Sequence, residues 1–486
     1  MGNIERQSLK RTMGSLDVLA LAFGTIIGWG WVILAGGWVA DAGVGGAVIA
    51  FIIGAVLCIF VGLTYAELTP ALPLAGGELV FSYRGLGYNC SYITGWMITF
   101  AYIGVAAFEG PSFATAINYA IPLPKVGYLW TVAGFEVYLP WLAVGVGMAI
   151  LLTILNFIGI KSATIFQTCA TGALILGGLI LVFGSATQGD IANTAPVFTG
   201  VKGIAAVLLV VPAMFVGFDV VPQAAEEMKI PLKKIAGILI ASICMAALWY
   251  ILMILGLGLS APADVRAATD IPVADAFAYV MGSPVFGKLI IVAALLGILT
   301  SWNGFIVGAT RVLFSMARAK MLPEVFARVH PKYGTPTAAI LLVGLLTCLA
   351  PLLGRSALVW FIDASAFGTV VAYFMVAASF IALRRSEPEL ERPYKVKSGM
   401  FVGVAAVAVA FFFLFLYTPL GPSPLTGIEW LLVLVWVVLG IVLYIATQIN
   451  YRNVTSAERE YLMFGEEYMR KDRAGEFAKR KTAKAR

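Results

Sequence analysis

Histidine is nearly absent from this chain, with His330 the only one in 486 residues. A single imidazole in a basic loop gives neither a histidine metal site nor a Ser/His catalytic pair its parts. Cysteine is also scarce. Cys58, Cys90, Cys169, Cys244 and Cys348 stand singly, each within or beside an apolar segment, and no two have disulfide or metal-ligand spacing. They read as small core residues. No GxxxxGK[ST] loop is present, so no nucleotide-driven chemistry is expected. Charge is thin, at 12% against 60% hydrophobic residues, with mean hydropathy +0.93. Soluble domains carry about 25% charged residues, so this composition excludes a water-soluble globule.

What the chain has instead is long apolar runs. They lie near 16–40, 45–69, 90–118, 139–160, 164–186, 203–224, 234–259, 285–310, 336–354, 357–383, 400–418 and 428–449. About 20 apolar residues at 1.5 Å rise cross a bilayer, so the expected fold is an all-α polytopic membrane protein of about 12 transmembrane helices. The first run is too long for a signal-peptide core and lacks a small-residue cleavage site, so it is expected to stay on the chain. The net charge of +7 is a matter of topology. With the N-terminus cytoplasmic, only Lys125, Lys202, Arg266, Lys288 and Arg355 of the 33 basic residues fall outside. Both termini are then cytoplasmic, and no nucleic-acid partner is expected. The tail, Tyr451 to Arg486, mixes Glu, Lys and Arg and is expected to lie as a helix or coil at the anionic inner leaflet.

The first run carries an anomaly, Gly24-Thr25-Ile26-Ile27-Gly28-Trp29-Gly30-Trp31. Glycine costs a helix roughly 1 kcal/mol relative to alanine. Three glycines at mid-membrane mark either a broken helix whose backbone faces a ligand, or a small-xxx-small packing face. The sixth run answers it. Val211 to Pro222 holds two prolines, Gly217 and Asp219 within one spanning length. Proline removes a donor and clashes with the preceding turn. Two interrupted segments in corresponding positions are the sequence sign of a five-plus-five inverted repeat with its site between them.

Isolated acids punctuate the apolar runs. Glu109 lies inside the third, where a charge costs about 2.5–3.5 kcal/mol unless it faces a cavity or partner. Glu67 closes the second run as a snorkelling acid or half of an inner-gate salt bridge. Glu226 and Glu227, with Lys229, Lys233 and Lys234, form a solvated charge run or gate partners. Asp363 sits near the outer end of the tenth as an outer-gate or interfacial acid. Segments four and five offer Asn156 and Gln167 as helix-bridging groups.

Four motifs in register resemble the amino acid–polyamine–organocation transporter superfamily. They are Gly24–Gly30; Ala66-Glu67-Leu68 with Pro73 and Gly76-Gly77; Gly217-Phe218-Asp219 through Ala225-Glu226-Glu227; and Arg311 to Arg318 followed by Leu322-Pro323 and Thr335-Pro336. The likeness runs over about 16–385 and is that of a bacterial-type amino acid permease. It implies a ten-helix LeuT-like core over 16–385, two further helices over 386–449, a cytoplasmic N-terminus 1–15 and a charged cytoplasmic tail 450–486. The implied activity is secondary transport of amino acids or related organic amines by alternating access, with no enzyme chemistry. Relatives also include polyamine and ethanolamine-type carriers, a reading favoured if Glu109, Asp219 and Asp363 face one cavity. A channel or receptor would need a continuous polar stripe, which is missing. In the family the paired glutamates Glu226 and Glu227 look like inner-gate partners. Trp29 and Trp31 stand where the family often has Ile-Phe, which leaves pocket size open.

A zwitterion needs donors for its carboxylate and acceptors for its ammonium. The amides of Thr25, Ile26 and Ile27 are expected to supply the donors, with Gly28 and Gly30 letting the ligand approach. Carbonyls near Phe215, Val216, Gly217 and Phe218 are expected to supply the acceptors, with Asp219 and Glu109 as counter-charges. Trp29, Trp31, Phe215 and Phe218 would wall the pocket. No cofactor is expected, and Na+ or H+ would be the coupling ion. Thr300 and Ser301, about 15 residues from the outer end of segment eight, suit a sodium ion or bond back to their own helix. Some proton-coupled members carry a lysine in segment five, near Leu174 by register from Gln167, and it is absent here. Exchange or facilitated transport is therefore placed ahead of sodium, and sodium ahead of protons at Glu109. The expected partners are a small-molecule substrate and the bilayer, with the chain a monomer or weak homodimer.

Overall fold

The computed structural model describes residues 6–269 and 271–485. The first five residues of the expected N-terminal segment and the last residue of the tail lie outside the described residues.

The chain opens with α1 (Ser15–Ile26), α2 (Gly30–Ile33), α3 (Ala35–Ala71), α4 (Gly77–Leu86) and α5 (Tyr88–Ala120). A hairpin, β1 (Tyr128–Val132) and β2 (Phe135–Tyr138), leads to α6 (Leu139–Phe157), α7 (Ile160–Gln188), α8 (Val201–Met214), α9 (Val220–Gln223) and α10 (Leu232–Ser260). Then come α11 (Ala263–Ala267), α12 (Pro272–Val280), α13 (Pro284–Arg318), α14 (Thr337–Leu349) and α15 (Gly354–Ser386). The chain closes with α16 (Gly399–Leu416), α17 (Gly427–Asn450), α18 (Ser456–Tyr468) and α19 (Lys471–Ala485). This is a multi-pass, all-α membrane protein.

Its spans follow the apolar runs. Helices α3, α5, α6, α7, α10, α13, α16 and α17 are each long and apolar enough to cross a membrane, and α14 and α15 share one apolar run over Thr337–Ser386. The first and sixth runs contain only short apolar helices, α1 and α8, because each is interrupted part-way. Gly43, at φ +75°, separates the first run from the second inside α3. A side chain there would press on the Pro196 and Val197 carbonyls, so the turn demands glycine.

The hairpin was not foreseen in the sequence. Its strands are too short to compete with the apolar runs as a signal, and its tight turn uses left-handed Ala133 (φ 49°) and Gly134 (φ 77°).

Helix α17 packs on α5 through stacked Trp96 and Trp436 rings, 4.4 Å apart. Each indole donates to the other's backbone carbonyl, at 2.9 and 3.0 Å. Leu431, Leu434, Val435 and Val438 on the far side are exposed, as a lipid-facing helix requires.

Two expectations are corrected. Cys58 is buried, but Cys169 and Cys244 are exposed on spanning helices, since apolar runs surround lipid-facing and core positions alike. The tail is helical, but α18 docks on protein. Met463 and Phe464 are buried, and Arg459 donates to the Lys320 carbonyl at 2.9 Å. The apolar stripe of α18 thus has a protein partner, with residues 6–13 and the ends of α3 and α13 on one face of the bundle, the tail face.

Candidate functional site

Both expected breaks are present. Helix α1 ends at Ile26 and helical structure resumes at Gly30. Helix α8 ends at Met214, and the chain unwinds through Phe215–Asp219 before α9. The two breaks touch backbone to backbone. Gly217 adopts φ +133°, and a Cβ there would stand 2.7 Å from Ile26 N and 2.8 Å from Thr25 C. Tyr250 of α10 bridges them, donating its hydroxyl toward Ile26 O (3.3 Å) and Met214 O (3.0 Å). Gly30 faces the other break as well, its would-be Cβ 3.1 Å from Met214 Sδ.

The donors lie further along than expected. Ile27 N–H bonds Phe23 O at 3.1 Å and Gly28 N–H bonds Ile26 O at 3.2 Å. Thr25 and Ile26 belong to the last turn of α1, and the Thr25 hydroxyl donates to Leu21 O at 2.5 Å. The first amides of the resumed helix, from Trp29 on, are the ones a helix start leaves without partners. On the other side, Phe218 O accepts Val221 N–H at 3.2 Å. Among the described residues no donor reaches the carbonyls of Phe215 or Val216.

Glu109 joins this centre. It is 4% exposed, and a Cβ on Gly28 would stand 3.5 Å from Glu109 Oε1 and 3.4 Å from Ser301 Oγ. Three spans thereby converge on Gly28. Thr300 turns away, its hydroxyl donating to Gly297 O of its own helix at 3.0 Å. The Gln167 amide of α7 donates to Thr300 O (3.1 Å) and Ala20 O (3.3 Å), and accepts from Asn303 at 2.8 Å. Asn156 donates to Asn303 Oδ1 at 2.8 Å. The bridging role read for Gln167 and Asn156 is thus realised, with partners from α1 and α13 that the sequence did not indicate.

Asp219 is fully buried. Its carboxylate accepts the Gly217 N–H at 2.7 Å, the Tyr102 hydroxyl at 2.8 Å and the Tyr373 hydroxyl at 3.3 Å. Of the three acids, Glu109 and Asp219 are thus buried and Asp363, on α15, is exposed. Tyr102, Tyr250 and Tyr373 were missed in the sequence, where nothing separates them from the other tyrosines.

On the tail face the acids are latched rather than solvated. Glu227 pairs with Arg311 at 2.9 Å, and Glu226 with Arg318 (2.9 Å) and Arg6 (3.2 Å). Glu226 also accepts Leu9 N–H (3.1 Å) and Ala75 N–H (3.2 Å). Burial pushes its carboxyl up, but Arg318 and Arg6 outweigh that and hold it below its ordinary value. Glu67 pairs with Arg384 and Arg392, each nitrogen 3.0 Å away, and accepts Val396 N–H at 2.8 Å. Of its two readings, the salt bridge is the one observed.

A bundle of membrane-spanning helices with two breaks packed together at its polar centre, closed on one face by arginine–glutamate pairs, has the build of a membrane transporter. The chain belongs to the amino acid permease family of the amino acid–polyamine–organocation superfamily, whose model matches residues 13–444. It is 30% identical over 450 residues to the branched-chain amino acid permease BcaP of Bacillus subtilis (strain 168), covering 90% of this chain and 93% of that protein. It is 28% identical to the methylthioribose transporter of the same organism, over the same shares. It is 31% identical over 396 residues to cationic amino acid transporter 4 of Mus musculus, covering 78% of this chain and 60% of that protein. The protein is a transporter and not an enzyme.

Proposed function

We propose that this chain is a secondary transporter that moves amino acids across the cell membrane by alternating access, both termini being cytoplasmic. Residues 16–385 form the transport core as an inverted repeat, with the substrate held where the two breaks meet. The observation that carries this reading is the backbone contact of Gly217 with Thr25 and Ile26, beside Glu109. Amides of the first break would receive the carboxylate. The partnerless carbonyls of Phe215 and Val216, with Glu109 nearby, would receive the ammonium. The names of the relatives supply the amino acid class, branched-chain for one and cationic for another. The glutamate–arginine pairs of the tail face act as the inner gate, shut in this conformation.

A sodium ion at Thr300 and Ser301 draws less support, because the Thr300 hydroxyl serves its own helix and the Gln167 amide already bonds the Thr300 and Ala20 carbonyls. Transport without sodium at this place fits those contacts better. The test is counterflow in proteoliposomes loaded with unlabelled leucine or arginine, reading entry of the labelled form. Exchange of at least one is expected without sodium. No counterflow of either, from folded protein, would overturn the reading.

A further inference from the structure

Among the buried acids of the tail half, two sets contrast. Glu67, Glu226 and Glu227 each hold an arginine. Glu78 and Asp219, both without exposed surface, form no ion pair among the described residues. Glu78 lies in the first turn of α4, on the re-entrant stretch after α3. Asp219 lies at the break of segment six. Tyr102 of α5 stands between them, its Oη 2.8 Å from Asp219 Oδ2 and 3.5 Å from Glu78 Oε1.

Proton counting decides what this arrangement holds. A tyrosine hydroxyl has one hydrogen. Asp219 already accepts from Gly217 and Tyr373 and takes the short contact from Tyr102, so the Tyr102 hydrogen points at Asp219. Tyr102 Oη then offers Glu78 only a lone pair, and two acceptors face each other unless Glu78 carries a proton. With it the chain is complete, from Glu78 O–H to Tyr102 Oη and from Tyr102 O–H to the Asp219 carboxylate. On its second side Glu78 Oε2 accepts from the Gln223 Nε2 amide of α9, so the oxygen left for the proton is Oε1, the one facing Tyr102. The titratable groups around the pair are Tyr65 and Cys58 of α3, Tyr102 of α5 and Tyr373 of α15, all neutral side chains. Two bare carboxylates without a cation would face a large desolvation cost and mutual repulsion.

We propose that Glu78, Tyr102 and Asp219 form a proton-binding site that takes up and releases one proton per transport cycle. The proton comes from water, making one O–H bond at Glu78, and returns to water when that bond breaks. Loss of the proton sets two like charges against each other across the seam between α4 and the break before α9. That repulsion favours parting of these elements, which carry the re-entrant loop and, through Glu226 and Glu227, the inner latch. The inference rests on the transport reading above for its cycle, but the proton site itself does not.

The test pairs transport with spectroscopy in proteoliposomes. With labelled leucine or arginine, an acid-outside pH gradient should drive accumulation in the native protein. Glu78→Gln should keep counterflow exchange and lose the pH-driven accumulation, and Tyr102→Phe should lose it too. Difference infrared spectra between neutral and alkaline pH should show a protonated-carboxyl band in the native protein that Glu78→Gln removes. Accumulation that survives in Glu78→Gln, a native protein that exchanges but ignores the gradient, or no such band would each overturn the site. If the native protein shows no counterflow, the transport reading fails while the infrared band still decides the proton site. If Glu78→Gln does not fold, disappearance of the native band at alkaline pH decides it.

Discussion

At the residue scale, two glycines do different work. Gly217 is bound to its place by backbone, since its φ of +133° and the Ile26 amide 2.7 Å from any Cβ leave no room for a side chain. Gly28 is different. Its nearest neighbours to a Cβ are Ser301 Oγ and Glu109 Oε1 at 3.4 and 3.5 Å, ordinary contact distances. Alanine therefore fits at 28, while the branches of a larger side chain would fill the space in front of Glu109. Gly28→Leu is expected to reach the membrane folded and to lose amino acid binding, with Gly28→Ala retaining it. Ligand-induced thermal shifts of the purified variants check this, and normal binding by Gly28→Leu would contradict the placement of the substrate. The glycines themselves were legible in the sequence, because a helix breaker at mid-membrane is a local anomaly. Glu109 and Ser301 were candidates in the sequence too, but that they meet at Gly28 was not legible, because they come from other spans.

At the element scale, α13 is the strut of the tail face. Arg311 and Arg318 lie seven residues apart, hence on one side of the helix, and meet Glu227 and Glu226 from the end of segment six. Arg311 is 1% exposed, and so is the carboxylate it meets nearly buried. Removing one partner of such a pair leaves an uncompensated charge and costs about 3–5 kcal/mol. Arg311→Ala should therefore lower thermal stability strongly, and the double variant Arg311→Met with Glu227→Met should recover much of it. Thermal unfolding in detergent reads both. Equal losses in the single and double variants would show that the arginine acts through packing and not through its charge. The sequence displayed the arginines and the glutamates as separate motifs, and a solvated charge run was the default reading of the second. Only their contact made them a latch.

At the scale of the whole molecule, the ion pairs, residues 6–13 and the docked tail all lie on one face. The basic residues crowd that same face, as the positive-inside rule requires of a cytoplasmic side. Trypsin is expected to cut the tail in inside-out vesicles and to leave it intact in whole cells. Tail cleavage from outside intact cells would reverse the proposed topology, and with it the naming of the inner gate.

The sequence by itself determined whatever depends on neighbours along the chain. Run length and hydropathy settled the membrane class, and glycine and proline placed the breaks at residues 24–30 and 211–222, since both act on the local backbone. Four motifs in register carried the family. Tertiary structure decided every pairing of groups distant in the chain. Tyr250 reaches Ile26 across 224 positions, and Arg384 reaches Glu67 across 317. The same holds for Glu78, which in the sequence was one residue of a re-entrant turn and in the fold shares a tyrosine with Asp219. It decided, too, what covers the amphipathic tail, because an apolar stripe is satisfied equally by lipid or by protein. Periodicity records which side of a helix avoids water. Only the packed fold records what that side meets.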